Sequence, residues 1–391
     1  ERTAELLGEK TGETCGYKVH LESRVSSKTR FTVLTEAILT RMIQNDAELK
    51  GVSVVVIDEF HERSIHADLA LALLKEVMVL RDDLFVVVMS ATIDTKRLCS
   101  YLGGAAFYSV PGKVYPVHIE YKGNTSVSTA IVEELKGTYS GAILVFLPGI
   151  SEIRKTESEL KERGVEAEIL ILHSSIPFSE QKKVLSVPKS VPLNSERRVI
   201  LSSSIAETSL TVPDVSVVID SGLTRISSFN RRAGMQTLIT QAESLFNAEQ
   251  RAGRAGRLRE GRCVRLWNKE DIRPKETLAE ILRSDLSMLV LECAEWGVLD
   301  RKGLSFLDEI PETSWDSSFT LLKLLDCIDD RGITSKGKAC LLLGTSVRLA
   351  CVALSGLPYG KADFSTRIAI EYDSSINSKS VPLTKYIENL K

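Results

Sequence analysis

No stretch before Asp58 reads GxxxxGK[ST], no two cysteines are spaced CxxC, and no apolar run approaches the roughly 20 residues that a bilayer span requires. The first absence leaves these 391 residues without the loop that cradles nucleotide phosphates. The second excludes the common zinc modules. The seven cysteines, at 15, 99, 263, 293, 327, 340 and 351, are expected to be reduced thiols packed as small apolar side chains, with no structural metal. The third absence argues against a membrane-spanning helix, and no charged start leads into an apolar segment as in a signal peptide, so a cytoplasmic location is expected. An excess of charge is lacking as well. Fifty basic residues face fifty-two acidic ones, a formal net charge of -2, so nucleic-acid binding must come from a local groove rather than from the whole chain.

What is present is an ordinary soluble composition, 43% apolar and 26% charged, with room for about two to four domains. Arg2 to Leu7 reads as the end of a helix rather than as an initiating Met with a cap, so the amino terminus is expected to be a truncation. Strand-like and helix-like runs then alternate: Phe31–Leu34 and Glu36–Gln44, Val52–Ile57 and Ala67–Val79, Leu84–Met89 and Asp94–Leu102. Such a rhythm with Val/Ile-rich strands predicts an α/β fold with a parallel sheet covered on both faces. After Pro111–Pro116 a second series follows, Ala142–Leu147, Ser151–Arg163, Ala167–Leu172, Arg198–Ser202, Val215–Ile219 and Arg262–Leu266. Two tandem sheets with a cleft between them are expected. From Lys275 onward apolar residues fall at helical spacing, in Leu278–Trp296, Ser318–Ile328 and Lys336–Leu343, and the last residues from Asp373 show little periodicity.

The chemistry concentrates at strand ends. Asp58 and Glu59 follow Val54-Val55-Val56-Ile57, and ligands of parallel sheets gather at such carboxyl ends. Asp58 is expected to hold Mg²⁺ and Glu59 to orient and deprotonate an attacking water, which makes both candidate metal residues; His61 would link this site to the second domain. Ser90-Ala91-Thr92 closes another apolar strand, and the hydroxyls of Ser90 and Thr92 can reach the same carboxylates. Gln250-Arg251-Ala252-Gly253-Arg254-Ala255-Gly256-Arg257 places Arg254 and Arg257 three apart on one helix face, with glycines that allow close approach to phosphate. In Ser202–Leu223 a hydroxyl-rich turn offers Ser203, Ser204 and Thr208 to a nucleic-acid phosphate, and Glu207 and Thr211 to the nucleotide. Leu144 to Gly149, LVFLPG, ends a strand in a turn whose amides can approach a sugar-phosphate chain. Gly332 to Ala339, GITSKGKA, imitates a phosphate loop but ends in Ala where Ser or Thr must ligate magnesium, and it is dismissed.

TEAIL at 35–39, DEFH at 58–61, SAT at 90–92, LVFLPG at 144–149, IAETSLT at 205–211 and QRAGRAGR at 250–257 together resemble the DEAH-box helicases of superfamily 2. DEFHERS, and ILRSDLSMLVLECAEWG from Ile281 to Gly297, look most like the bacterial HrpB branch. The resemblance covers about residues 1 to 355. It implies a first RecA-like domain at 1–121 without its phosphate loop, a second at 122–268, a winged helix at 269–312 and part of a helical ratchet-like region at 313–391. It implies ATP and Mg²⁺ as cofactors and single-stranded RNA, read without sequence preference, as partner, with an activating protein as a possible second partner. Asp58, Glu59 and His61 would then be catalytic, Gln250, Arg254 and Arg257 the γ-phosphate sensors and arginine fingers, and Thr35, Gly149 and Ser203 contacts to the RNA backbone. Ser203-Ser204 stands where the family usually has Thr-Asn, Asp214 lies one position after the usual acid, and SVRLA at 346–350 replaces HPRLA. The 391 residues alone are expected to be inactive toward ATP. Two other readings remain at this stage, a non-catalytic RNA-binding remnant and a DNA-directed motor of the same superfamily.

Overall fold

The computed structural model describes residues 1–19, 22–91, 94–112, 115–186, 197–207, 210–230 and 234–376. The chain divides into two compact units, one of Glu1–Phe107, Phe229–Thr237 and Leu278–Lys391, the other of Tyr108–Ser228 and Leu238–Thr277. Among the described residues no single helix is long and apolar enough to cross a membrane.

The first unit opens with α1 (Arg2–Leu7), β1 (Cys15–Val19), β2 (Glu22–Arg24), β3 (Phe31–Leu34), α2 (Glu36–Asn45), β4 (Val54–Ile57), α3 (Ile65–Leu80), β5 (Phe85–Val88) and α4 (Thr95–Tyr101). Strand β1 pairs in parallel with β3 and antiparallel with β2, while β4 and β5 pair in parallel from Val54 opposite Phe85 to Ile57 opposite Val88. Successive strand residues point to opposite faces, so Val55 and Ile57 are buried while Val54 and Val56 are exposed. Phe31, Val33, Phe85 and Val87 are exposed too. A single sheet covered on both faces, expected from the βα rhythm, is therefore corrected to two short sheets with apolar side chains left open. Helix α3 is apolar nearly all round, and Leu69, Leu71, Leu73, Leu74 and Val77 are all buried, as a helix with packing partners on several sides must be.

The second unit is built on β6 (Val117–Tyr121), α5 (Val127–Leu135), β7 (Ala142–Phe146), α6 (Ile150–Glu162), β8 (Glu168–Leu172), α7 (Phe178–Leu185), β9 (Arg198–Ser202), β10 (Val215–Asp220), β11 (Leu223–Asn230), β12 (Met235–Ala242), α8 (Leu245–Gly253) and β13 (Gly261–Arg265). Six of the strands form one sheet in the order β6-β13-β10-β7-β9-β8, every pair parallel, and β11 and β12 pair separately. Every residue of β7 and β10 is buried, the pattern of central strands packed on both faces. Strand β6, inside the 1–121 span that the resemblance implies for the first domain, pairs with β13 along Gly261 opposite Val117 to Arg265 opposite Tyr121 and stands at the edge of the second unit's sheet.

The remaining elements are α9 (Ser287–Glu295), α10 (Glu312–Leu324), the β14 (Ile328–Asp329) and β15 (Gly332–Ile333) hairpin, α11 (Ser335–Leu343), α12 (Val347–Ser355) and α13 (Ala362–Ile376). They share a core with the first sheet: Ile281, Leu289, Leu291, Trp315 and Leu322 belong to the same buried cluster as Leu39, Ile57 and Leu73. The helix expected over Leu278–Trp296 is a single 3-10 turn at Glu280–Leu282 followed by α9.

Candidate functional site

Strand β4 delivers Asp58 and Glu59 to its carboxyl end. Asp58 is exposed and its Oδ1 accepts the Glu59 amide at 2.9 Å. Glu59 stands at φ 52°, ψ 34°, a left-handed backbone that costs a non-glycine residue about 1–2 kcal/mol. The next turn holds it there. Phe60, 1% exposed, donates its amide to the Met89 carbonyl at 3.0 Å, and Met89 donates to Ile57 at 2.8 Å, so the acid turn is stitched to the end of β5. His61 is half-buried with its ring largely covered, and its Nδ1 lies 3.5 Å from both the Ala91 amide and Glu59 Oε2. An amide can only donate, so Nδ1 accepts from Ala91 when the ring is neutral. The first unit thus gathers Asp58, Glu59, His61, Ser90 and Ala91; Thr92 lies outside the described residues.

The residues after the acids anchor the turn. Ser64 caps α3 by accepting from the Ala67 amide and donates to Glu36 Oε2 at 3.0 Å, tying DEFHERS to the first turn of α2. Arg63 binds Asp68 at 3.0 Å and Asp308, and Arg97 binds the other oxygen of Asp308 at 2.7 Å. Burial pushes the Asp68 carboxyl up to about 6 despite the opposing Arg63 guanidinium. Against its own burial, Asp308 is held below the ordinary carboxylate range by Arg97 and Arg63. None of this network was legible beforehand, because Asp308 and Arg63 are far apart in the chain.

In the second unit the most buried charged member of QRAGRAGR is Arg251, a residue without an assigned role in the sequence. It is 1% exposed, and it meets Glu207 Oε2 at 2.9 Å, Asp220 Oδ1 at 2.8 Å, the Leu223 carbonyl at 3.2 Å and Glu243, over the ring of Phe146. One guanidinium faces three carboxyls. Burial, then Asp220, push the Glu243 carboxyl far above its usual range. A side-chain hydrogen bond between Glu243 and Asp220 fits a proton held on Glu243. The folded state keeps that proton whereas the unfolded chain releases it above about pH 4.5. The stability this group contributes is complete below that pH and declines as pH rises, by up to about 1.4 kcal/mol per pH unit. Urea unfolding of Glu243→Gln between pH 5 and 8 is expected to lack this slope.

Arg254 and Arg257 do not share a helix face as the spacing suggested. Helix α8 ends at Gly253 and Arg254–Gly256 is a 3-10 turn. Arg254, 5% exposed, points inward and donates to the carbonyls of Leu210, at 3.0 Å, and Glu207, so it braces the loop after β9. Arg257 is exposed and donates to Thr211 Oγ1 at 2.9 Å. Gln250 is half-buried one turn earlier. Gly256 is small for another reason than phosphate access: a Cβ there would lie 2.5 Å from the Tyr115 carbonyl, while one at Gly253 would meet open space.

The remaining candidates sit on polar edges of the two units. Thr35 is exposed at the cap of α2 and makes no side-chain cap bond. Gly149 caps α6 in the second unit, where a Cβ would lie 2.3 Å from Arg225 Nη1. Arg225 pairs with Glu152 at 3.0 Å. His173, at the end of β8, is lowered by burial and by Arg225, and its Nδ1 meets Ser175 Oγ at 2.8 Å. Ser203 is half-buried and Ser204 exposed at the end of β9. Thr208 lies outside the described residues. Arg225 and His173 carried no sequence signal, since a lone basic residue in a strand is indistinguishable from surface charge.

The family described as helicase conserved C-terminal domain matches residues 126–259. The ATP-dependent RNA helicase HrpB of Escherichia coli is 39% identical over 381 residues, 94% of this chain and 46% of that protein. The ATP-dependent RNA helicase HrpA of Borreliella burgdorferi is 32% identical over 404 residues, 99% of this chain and 48% of that protein. A crystal structure of the Escherichia coli DEAH/RHA helicase HrpB aligns with a TM-score of 0.85 at 37% identity, covering 97% of this chain and 49% of that one. The chain spans about half the length of these relatives.

Proposed function

We propose that the chain belongs to the DEAH-box helicases of superfamily 2 and carries the motor chemistry of a cytoplasmic ATP-dependent RNA helicase. The acid turn is the observation that carries this reading. Glu59 is held in a costly left-handed backbone at the carboxyl end of β4, where a carboxylate serves chemistry better than packing. Asp58 and Glu59 offer the hard oxygen donors that suit Mg²⁺. When bound, that ion neutralises charge on the phosphate oxygens. Glu59 orients the attacking water and takes its proton, with His61 fixing the position of the turn through the Ala91 amide. Ser90 and Thr92 support the acids, and Glu207 and Thr211 line the nucleotide side of the second unit. Gln250 and Arg257 act on the γ-phosphate. Arg254 contributes by holding the Glu207 and Leu210 carbonyls.

Single-stranded RNA is bound through its backbone by Thr35, Gly149, Ser203, Ser204 and Thr208, with the amino end of α6 supplying unpaired amides. An activating protein partner is compatible with this reading. The segments 269–312 and 313–391 are read as the winged-helix and ratchet-like regions.

The test is RNA-stimulated ATP hydrolysis by a form carrying a phosphate loop upstream, beside its Glu59→Gln counterpart. We expect Glu59→Gln to lower turnover by about 10²–10⁴-fold with RNA binding retained. RNA binding with no hydrolysis in the loop-bearing form would replace this reading by a binding-only function, and equal stimulation by DNA would make the motor DNA-directed. Arg225, beside Gly149 at the amino end of α6, is read as a further phosphate contact, so Arg225→Ala is expected to weaken RNA binding and to lower the slope of log affinity against log salt by about 0.7, the value of one phosphate contact on a single strand.

A further inference from the structure

Three cysteines far apart in spacing meet in the helical part of the first unit. Cys327 lies in the turn between α10 and β14, Cys340 on α11 and Cys351 on α12. Their sulfur atoms form a nearly equilateral triangle, with edges of 3.9 Å for Cys327–Cys340, 3.7 Å for Cys327–Cys351 and 3.7 Å for Cys340–Cys351. Cys327 and Cys340 are buried and Cys351 is half-buried.

The backbone builds this triangle. Thr334 donates its amide to the Cys327 carbonyl at 3.0 Å and caps α11 by accepting from Gly337 at 3.1 Å. A Cβ at Gly337 would lie 2.2 Å from the same Cys327 carbonyl, so the glycine of the false phosphate loop is what lets α11 close on the turn. Gly344, at φ 64°, then ends α11, and Ser346 caps α12, returning Cys351 toward Cys340.

We propose that Cys327, Cys340 and Cys351 form a three-thiolate site for a thiophilic d¹⁰ cation, Zn²⁺ in the first instance, with the fourth position toward the half-exposed side of Cys351. Zinc–thiolate bonds of about 2.3 Å at the tetrahedral angle place sulfurs about 3.8 Å apart, and the three edges bracket that distance. A disulfide would need one pair near 2.05 Å and would leave the third thiol over. Binding deprotonates the thiols, so one Zn²⁺ exchanges for three protons and the site carries one net negative charge. The bound ion would fasten the α10–β14 turn to α11 and α12. Residues spaced 13 and 11 apart match no familiar zinc pattern, which is why spacing alone gives no hint of the site.

The experiment is metal analysis of the chain purified under reducing conditions, followed by chelator stripping and titration with Cd²⁺, read by thiolate-to-metal charge-transfer absorption. One equivalent of zinc as purified, and a charge-transfer band saturating at one equivalent of Cd²⁺, are expected. Cys351→Ser, at the least buried corner, is expected to bind at least 10-fold more weakly with an unchanged circular dichroism spectrum. No band at one equivalent of Cd²⁺ in the unsubstituted chain overturns the proposal without recourse to any variant. So does a mass lower by two hydrogens from a disulfide among the three, or affinity unchanged in a folded Cys351→Ser chain.

Discussion

Arg257→Ala is expected to lower kcat for ATP hydrolysis by about 10³–10⁵-fold while leaving the melting temperature unchanged, because a guanidinium that stabilises the transferring phosphoryl group contributes only in the transition state. Arg257 is exposed and its bond to Thr211 is a surface one, so little folding energy depends on it. Arg254→Ala is the informative comparison. Arg254 is buried against the carbonyls of Glu207 and Leu210, and its removal leaves buried acceptors unsatisfied at a cost of about 1–3 kcal/mol. Steady-state hydrolysis and thermal melts of both variants, in a form with a phosphate loop upstream, separate the two roles. Retained turnover in Arg257→Ala, with a loss of stability equal to that of Arg254→Ala, would remove Arg257 from the site. Arg257→Lys is expected to recover only part of the rate, since a point charge does not reproduce the planar fork.

Arg251→Met is expected to destabilise the second unit by about 3–5 kcal/mol, among the largest effects a single replacement can have here. The side chain is 1% exposed and balances Glu207, Asp220 and Glu243 at once. Methionine fills much of the volume but leaves buried carboxylates uncompensated. These acids come from the loop after β9, the end of β10 and the segment after β12, so the loss is felt along the whole carboxyl edge of the sheet. Urea unfolding followed by tryptophan fluorescence measures it. A second replacement that neutralises an acid, Glu207→Gln on the Arg251→Met background, is expected to restore part of the stability. A change below about 1 kcal/mol for Arg251→Met alone would mean that water reaches the cluster and screens it.

The central strands of the second unit, β7, β9 and β10, were readable because each is a short Val/Ile/Leu-rich run ended by turn residues. Arg198–Ser202 matches β9 residue for residue, and Ala142–Leu147 and Val215–Ile219 differ from β7 and β10 by one residue each. The polar or mixed elements were not readable. β1 and β2 contain Gly, Lys, Glu and Arg, β11 and β12 alternate weakly, and β6 carries His and Glu, so none stands out from a loop until a neighbouring strand supplies its hydrogen bonds. The candidate site divides the same way. Asp58, Glu59 and His61 were legible because a local strand-to-turn pattern carries them, whereas the inward turn of Arg254 depends on a loop that begins more than forty residues earlier.

By itself the sequence determined which strand ends carry acids, hydroxyls and arginines and where the central buried strands run, since both are set by local residue type and period. Tertiary structure alone decided which arginine is buried and which is exposed, which sheet β6 joins, and that Cys327, Cys340 and Cys351 meet. Those outcomes depend on contacts between segments distant in the chain, where burial fixes the cost of an unpaired charge and backbone geometry fixes the distance between two side chains, and neither quantity is encoded in spacing.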